Sequence, residues 1–118
     1  MTTISIRWVG DPPTESSGWL AAFTEDGTNV GEAAYRSWEE DSRLTYLGDF
    51  IVAPEYRKHG IAKDMMSTVF DHLGRDRQYI VSLTGNLGRM FMEAVAGEKG
   101  APKIFELHED DTTYRPMN

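Results

Sequence analysis

The apolar positions of this chain keep a period of two through its first half and change to intervals of three and four beyond the middle. Ile4, Ile6 and Trp8 alternate with Ser5 and Arg7, the spacing of a strand with one buried face. Residues 10–17 contain Pro12 and Pro13 and cannot extend it. A second apolar run covers residues 19–23 and closes at Glu25-Asp26-Gly27, where Asp-Gly signals a hairpin, so residues 30–38 are the expected partner strand. An acidic turn, Glu39-Glu40-Asp41-Ser42, leads to residues 43–52, the longest strand candidate. After Gly60 the period lengthens. Ile61, Met65, Met66, Val69, Phe70 and Leu73 fall on one side, with Lys63, Asp64, Ser67, Thr68 and Asp71 on the other, and Gly74 sits where a C-cap belongs. Residues 79–83 read as a strand. Leu87, Met90, Phe91, Ala94 and Val95 then outline a second helix, with Asn86 as N-cap and Gly97 at its end. A strand follows at residues 104–107, and a short one is a candidate at 112–115.

That order, four strands and then alternating helices and strands, predicts an α+β fold. It is built on a mixed sheet of six or seven strands, antiparallel at the start, with two main helices on opposite faces. Ile61, Met65, Val69, Phe70, Leu87, Phe91 and Val95 are the expected core positions of the helices. With 118 residues and no repeat or linker, residues 1–118 are expected to form a single domain with one core.

Composition narrows the chemistry. The chain has no cysteine, which removes disulfides, thiolate metal sites and a cysteine nucleophile, and no metal site is expected. Neither a signal peptide nor a run long enough to span a membrane is visible, so a cytoplasmic protein is expected. The balance of 12 basic against 19 acidic residues, net −7, argues against a sequence-independent nucleic-acid binder. It suits a cationic partner, or serves solubility alone.

The stretch Val52-Ala53-Pro54-Glu55-Tyr56-Arg57-Lys58-His59-Gly60-Ile61-Ala62-Lys63 joins the longest strand to the first helix. Backbone N–H groups at such a helix start lack intrahelical partners and favour an anion. Arg57, Lys58 and His59 add positive charge, and Gly60 has no Cβ to hold a phosphate away. Pyrophosphate is the natural ligand of this arrangement. Without a ligand, the same loop reads as a positive-φ turn with solvated cations.

Arg57-Lys58-His59-Gly60-Ile61-Ala62 matches R/Q-x-x-G-x-G/A, and with the preceding strand and V-x-P-x-Y it closely resembles motif A of the GCN5-related N-acetyltransferases. The resemblance covers residues 43–73 well. Residues 79–100 are similar in outline, through Asn86 and Met90-Phe91-Met92. It implies acetyl-coenzyme A as cofactor. Phe50, Ile51 and Val52, at the end of a strand that is bulged in that family, would hydrogen-bond the pantetheine arm, and a backbone N–H there would polarise the thioester carbonyl. Arg57, Lys58, His59, Gly60, Ile61, Ala62 and Lys63 would wrap the pyrophosphate, and Asn86 matches the family's second helix.

The chain also departs from that family. The helix tyrosine that often protonates the leaving thiolate is replaced at Met90-Phe91-Met92-Glu93; Tyr114, Ser82 and Thr84 are the candidate substitutes. The usual position of the general base is Tyr46, a phenol and a poor base near neutrality. Alternation puts Tyr46, Gly48, Phe50 and Val52 on one face and Asp49 on the other, so Asp49 serves as base only if a bulge resets the register. Glu32, Glu39 and Asp41 read first as solvated surface, and Trp19, Tyr35 and Trp38 as core and hairpin packing. The two helices that the family inserts between its first strands are missing, which leaves the acceptor side open. The resemblance therefore implies transfer of an acetyl group to a primary amine by direct attack, the acceptor being a lysine or N-terminus on a cationic protein, or a polyamine. The rival readings are a GNAT-fold module that binds a partner without turnover, with a homodimer as one form, and an acidic decoy for a nucleic-acid enzyme.

Overall fold

The computed structural model describes residues 3–57, 60–83, 86–108 and 113–118, and within these leaves aside the side chains of Asp49, Asn86 and Leu87. Four strands come first, each antiparallel to the next: β1 (Ser5–Trp8), β2 (Ser17–Phe23), β3 (Asn29–Trp38) and β4 (Asp41–Val52). Helix α1 (Ile61–Leu73) carries the chain to β5 (Gln78–Val81), parallel to β4. Helix α2 (Asn86–Ala96) carries it to β6 (Lys103–Leu107), parallel to β5, and β7 (Tyr114–Pro116) returns antiparallel. The seven strands make one sheet in sequence order. Among the described residues no helix is long and apolar enough to cross a membrane.

Local chemistry explains the turns. Gly27 turns the β2–β3 hairpin at φ +87°, while Asp26 Oδ1 accepts from the Thr28 N–H at 3.1 Å and its hydroxyl at 2.8 Å, an Asx-type turn. The acidic turn is tighter than residues 39–42. Trp38 pairs with Asp41, so only Glu39 and Glu40 remain in the loop, and Asp41 is held by Arg43 at 2.8 Å. The short last strand lies at Tyr114–Pro116, slightly beyond the expected 112–115.

Helix α1 buries Ile61, Met65, Met66, Val69 and Phe70, and Gly74 ends it at φ +113° with its N–H donating to the Phe70 carbonyl. Helix α2 contributes Met92, Val95 and Ala96 to the same cluster, which also holds Leu20, Tyr79, Val81 and Ile104. The two helices therefore share one face of the sheet, which corrects the expectation of opposite faces. The physical reason is the strand order: successive parallel strands β4, β5 and β6 advance in one direction, and crossovers of one hand then return on one side. Phe91 is half-buried, with Met92 in the buried position, and Leu87 lies outside the described side chains.

The opposite face has its own apolar layer. Trp38, Leu44 and Ile80 are buried there with Tyr46, Phe105 and Leu107 packed against them, and the Tyr114 ring meets Trp38 and Phe105 edge-on at 5.5 and 5.2 Å. Among the described residues, side chains and not a helix cover this layer.

Candidate active site

The register of β3 on β4 locates the centre of the site. Tyr35 pairs with Leu47 and Ala34 with Gly48, yet Glu32 pairs with Ile51 and Gly31 with Val52. One residue of β3, Ala33, therefore faces two of β4, Asp49 and Phe50, which is a β-bulge. It turns the end of β4 over. Tyr46 packs with the helix-free layer, whereas Phe50 and Val52 pack with the helix-side core alongside Leu47. The expectation that Tyr46, Phe50 and Val52 share a face is thus corrected, because the extra residue shifts the alternation by one. Gly31 allows the close approach: a Cβ there would stand 3.2 Å from the Ile51 carbonyl oxygen and 3.4 Å from Met65 of α1.

The bulge has a second consequence on the other edge of β4. Pairing with β5 begins at Leu44↔Gln78 and stops at Leu47↔Val81, while β4 continues to Val52. Residues 48–52 thus have β3 on one edge and no strand on the other. That is roughly 17 Å of strand edge that faces no described strand and can pair with an extended ligand.

This open edge leads to the start of α1. Ala53 donates to the Val30 carbonyl at 2.9 Å, and one turn of 3-10 helix over Pro54–Tyr56 follows. Arg57 bends back so that its Nε donates to the Val52 carbonyl at 3.3 Å. Lys58 and His59 lie outside the described residues. Gly60 caps α1 in the left-handed region at φ +80°, with no side-chain cap, and accepts the Asp64 N–H at 2.9 Å. The N–H groups of Ile61, Ala62 and Lys63 precede the first intrahelical donor, so the helix itself gives them no partner and they can take a ligand at the positive end of its dipole. Space is available: a Cβ on Gly60 would meet nothing within 4 Å. The Lys63 ammonium turns toward Glu98 at 3.0 Å, so its side chain is drawn across to the end of α2 and away from the loop.

The remaining candidates scatter. Asp49 lies in the bulge by its backbone, and Asn86 opens α2, but the side chains of both lie outside the described set, as does Thr84. Ser82 is exposed just past β5. Tyr46 stands before the bulge, with the Arg36 guanidinium 4.9 Å from its ring centroid. Tyr114 is not brought to the gap. Its ring lies on the helix-free layer against Trp38 and Phe105, and Trp38 stands at the hairpin end of β4, opposite to Val52. Glu39 and Asp41 stay at that hairpin as well; the side-chain hydrogen bond from Arg43 holds the Asp41 carboxyl at about 2. Glu32 does face the site region, where it accepts from Asn29 Nδ2 at 3.0 Å. Tyr35 and Trp38 are buried as expected, but Trp19 is 46% exposed on the helix-free face.

Sequence reasoning overlooked one ionic cluster. Glu106 on β6 is 5% exposed, and Arg89 of α2 reaches both of its oxygens at 2.5 and 2.6 Å, with Arg115 of β7 at 3.4 Å. The Arg89 hydrogen bond, opposed by burial, holds this carboxyl below the usual glutamate range. A charged residue at the inward position of Lys-Ile-Phe-Glu-Leu was the available signal, since such a charge needs a partner.

The structure thus combines a mixed sheet that parts at a bulge in its central strand with a glycine-led helix start that has no side-chain cap, in an α+β domain. The chain belongs to the acetyltransferase (GNAT) family, whose profile matches residues 3–92. Solved structures agree on the fold. A protein from Exiguobacterium sp. 255-15 is similar over 97% of this chain and 91% of its own, with TM-score 0.69 and 11% identity. An acetyltransferase from Trypanosoma brucei matches over 82% and 93%, with TM-score 0.61 and 15% identity. A GNAT family protein from Streptococcus pneumoniae matches over 84% and 88%, with TM-score 0.58 and 16% identity. No curated protein sequence matches.

Proposed function

We propose that this protein is an acetyl-CoA-dependent N-acetyltransferase acting by direct transfer to a primary amine, on a protein lysine or N-terminus or on a polyamine. The observation that carries the reading is the open edge of β4 at residues 48–52, running into the uncapped start of α1. Membership of an acetyltransferase family supplies the reaction class.

The chain's own groups fit such a cofactor. Residues 48–52 would pair with the amide-bearing arm, and the N–H groups of Ile61, Ala62 and Lys63, with Gly60 and Arg57, would hold the diphosphate. Bound acetyl-CoA supplies an acetyl group activated as a thioester. A backbone N–H of the bulge would polarise the acyl carbonyl, a contribution of about 3–4 kcal/mol where such donors have been removed. Asp49 is proposed as base: it takes the proton that the amine loses as the carbon–nitrogen bond forms and the carbon–sulfur bond breaks. The bulge at Asp49 and Phe50 supports this choice, since sequence alternation allowed Asp49 as base only with a bulge. With no cysteine in the chain, no acyl-enzyme is expected on a thiol.

Isothermal titration with acetyl-CoA, followed by thiol release and product mass spectrometry over lysine peptides and polyamines, tests the reading. Binding with acetylated product is expected, and Asp49→Asn should lower kcat by about 10²-fold, with Tyr46→Phe costing less. Tyr114→Phe should leave turnover unchanged. Tight binding without transfer to any amine would overturn the enzymatic reading in favour of a binding module, and an acetyl mass shift on the protein that can be chased onto an acceptor would overturn direct transfer.

A further inference from the structure

The helix-free face carries a depression beside the point where β4 leaves β5. Its floor is the cross-strand pair Ala34↔Gly48, two of the smallest side chains in the sheet, placed immediately before the bulge. A cavity of about 290 Å³ stands over them, lined by Ala34, Tyr35, Arg36, Tyr46 and Gly48. A Cβ on Gly48 would come within 3.0 Å of the Tyr46 ring, so the missing side chain is what keeps this hollow open. On β2 the partner of Ala34 is Trp19, whose ring is half exposed.

Opposite charges flank Ala34 along β3. Alternation along β3 puts Glu32, Ala34 and Arg36 on one face, and β3 keeps a regular register with β2 through these positions. Arg36 lies at one end, above Tyr46. Its only described ion pair is a loose 3.9 Å contact with Glu39, which is 85% exposed. Glu32 lies just outside the lining residues on the other side of Ala34, opposite Ile51 and beyond the bulge, with one carboxylate oxygen engaged by Asn29. Four residues of strand separate their Cα atoms by roughly 13 Å.

We infer that this hollow is the acceptor subsite and that it selects a zwitterionic acceptor. The acceptor is a primary amine carrying a carboxylate at the far end of a short aliphatic chain, its ammonium drawn to Glu32 beside the gap and its carboxylate held by Arg36. Trp19 and Tyr46 flank the chain between them. The inference rests on the acetyltransferase reading above but replaces its protein and polyamine acceptors with a small amino acid, since a polyamine satisfies Glu32 and leaves Arg36 without an anion. An arginine is suited to the task because its planar fork offers paired donors to a carboxylate.

The test compares 6-aminohexanoate with hexylamine, which has the same amine and chain but no carboxylate. The wild type should show kcat/KM on the order of tenfold higher for 6-aminohexanoate, the size expected of one charge-assisted contact at a partly exposed site. Arg36→Gln should abolish that preference, raising KM for 6-aminohexanoate without a matching rise for hexylamine, and Arg36→Lys should restore part of it. Acetyl-CoA titration of each variant confirms that it is folded and cofactor-competent. Equal kcat/KM for the two amines in the wild type, or an equal loss for both in Arg36→Gln, overturns the inference while leaving the acetyltransferase reading intact. Failure to bind acetyl-CoA overturns that reading itself. Calorimetric titration of the two amines in the presence of coenzyme A gives the same comparison without turnover, and equal affinities there would also refute the selectivity.

Discussion

Substitutions at Gly60 separate what this residue does for stability from what it does for binding. Its φ of +80° lies in the left-handed region, and a Cβ there would touch nothing within 4 Å. Gly60→Ala therefore costs backbone strain without a clash, about 1–2 kcal/mol. For 118 residues the unfolding entropy is roughly 0.25 kcal/mol/K, so Tm should fall by about 4–8 °C. Gly60→Glu carries the same strain, but its carboxylate sits at the positive end of the α1 dipole and should recover about 0.3–1 kcal/mol. It should melt at or slightly above the alanine variant. Binding should follow the reverse order. A carboxylate about 4 Å from a diphosphate costs up to about 4 kcal/mol at an effective dielectric near 20, less with exposure, so acetyl-CoA affinity should fall roughly 30- to 1000-fold. Alanine should weaken it only modestly. Differential scanning calorimetry and isothermal titration on the three proteins give both orders. Wild-type affinity in a folded Gly60→Glu variant would refute the assignment of this helix start to the diphosphate.

Two further predictions concern the framework. Glu106→Gln breaks a buried carboxylate's pair with Arg89 while leaving both arginines partly hydrated, so urea denaturation near neutrality should show a loss of about 1–3 kcal/mol. Because the folded carboxyl sits below its ordinary value of 4.5, its contribution is full above that pH and is lost as pH falls through the folded value; the gap between wild type and variant should close on acidification. Tyr79→Phe removes the hydroxyl that donates to the Gly74 carbonyl at 2.8 Å, at a cost of about 1 kcal/mol. Burial pushes the Tyr79 phenol from 10 up to about 12, so the wild type should lose stability as pH rises between these values and the phenylalanine variant should not show that component. Denaturation curves at neutral and strongly alkaline pH check the sign.

What the sequence by itself determined is local. Period-two runs marked β1 to β4, period-three-and-four runs marked α1 and α2, and each depends on neighbours only a few residues away. The Arg57-x-x-Gly60-x-Ala62 spacing was legible for the same reason: a left-handed glycine before an amphipathic helix leaves its N–H groups free whatever the rest of the sheet does. The tertiary structure alone decided matters that depend on which strands meet. The resemblance implied a bulge in this strand, but its place at Asp49 and Phe50 exists because Ala33 faces two residues of β4 and is not marked by the alternation of residues 41–52, which placed Phe50 and Val52 with Tyr46 when they belong on the opposite face. Both helices share a side because β4, β5 and β6 stand in consecutive order, a relation among strands far apart in the chain. Glu106 found Arg89 across 17 positions and Arg36 met Tyr46 across a hairpin, contacts that side-chain spacing along one strand does not encode. The gap at residues 48–52 is of this kind too, for it is made by the end of β5 at Val81, and a strand's open edge is defined by the neighbour that stops short of it.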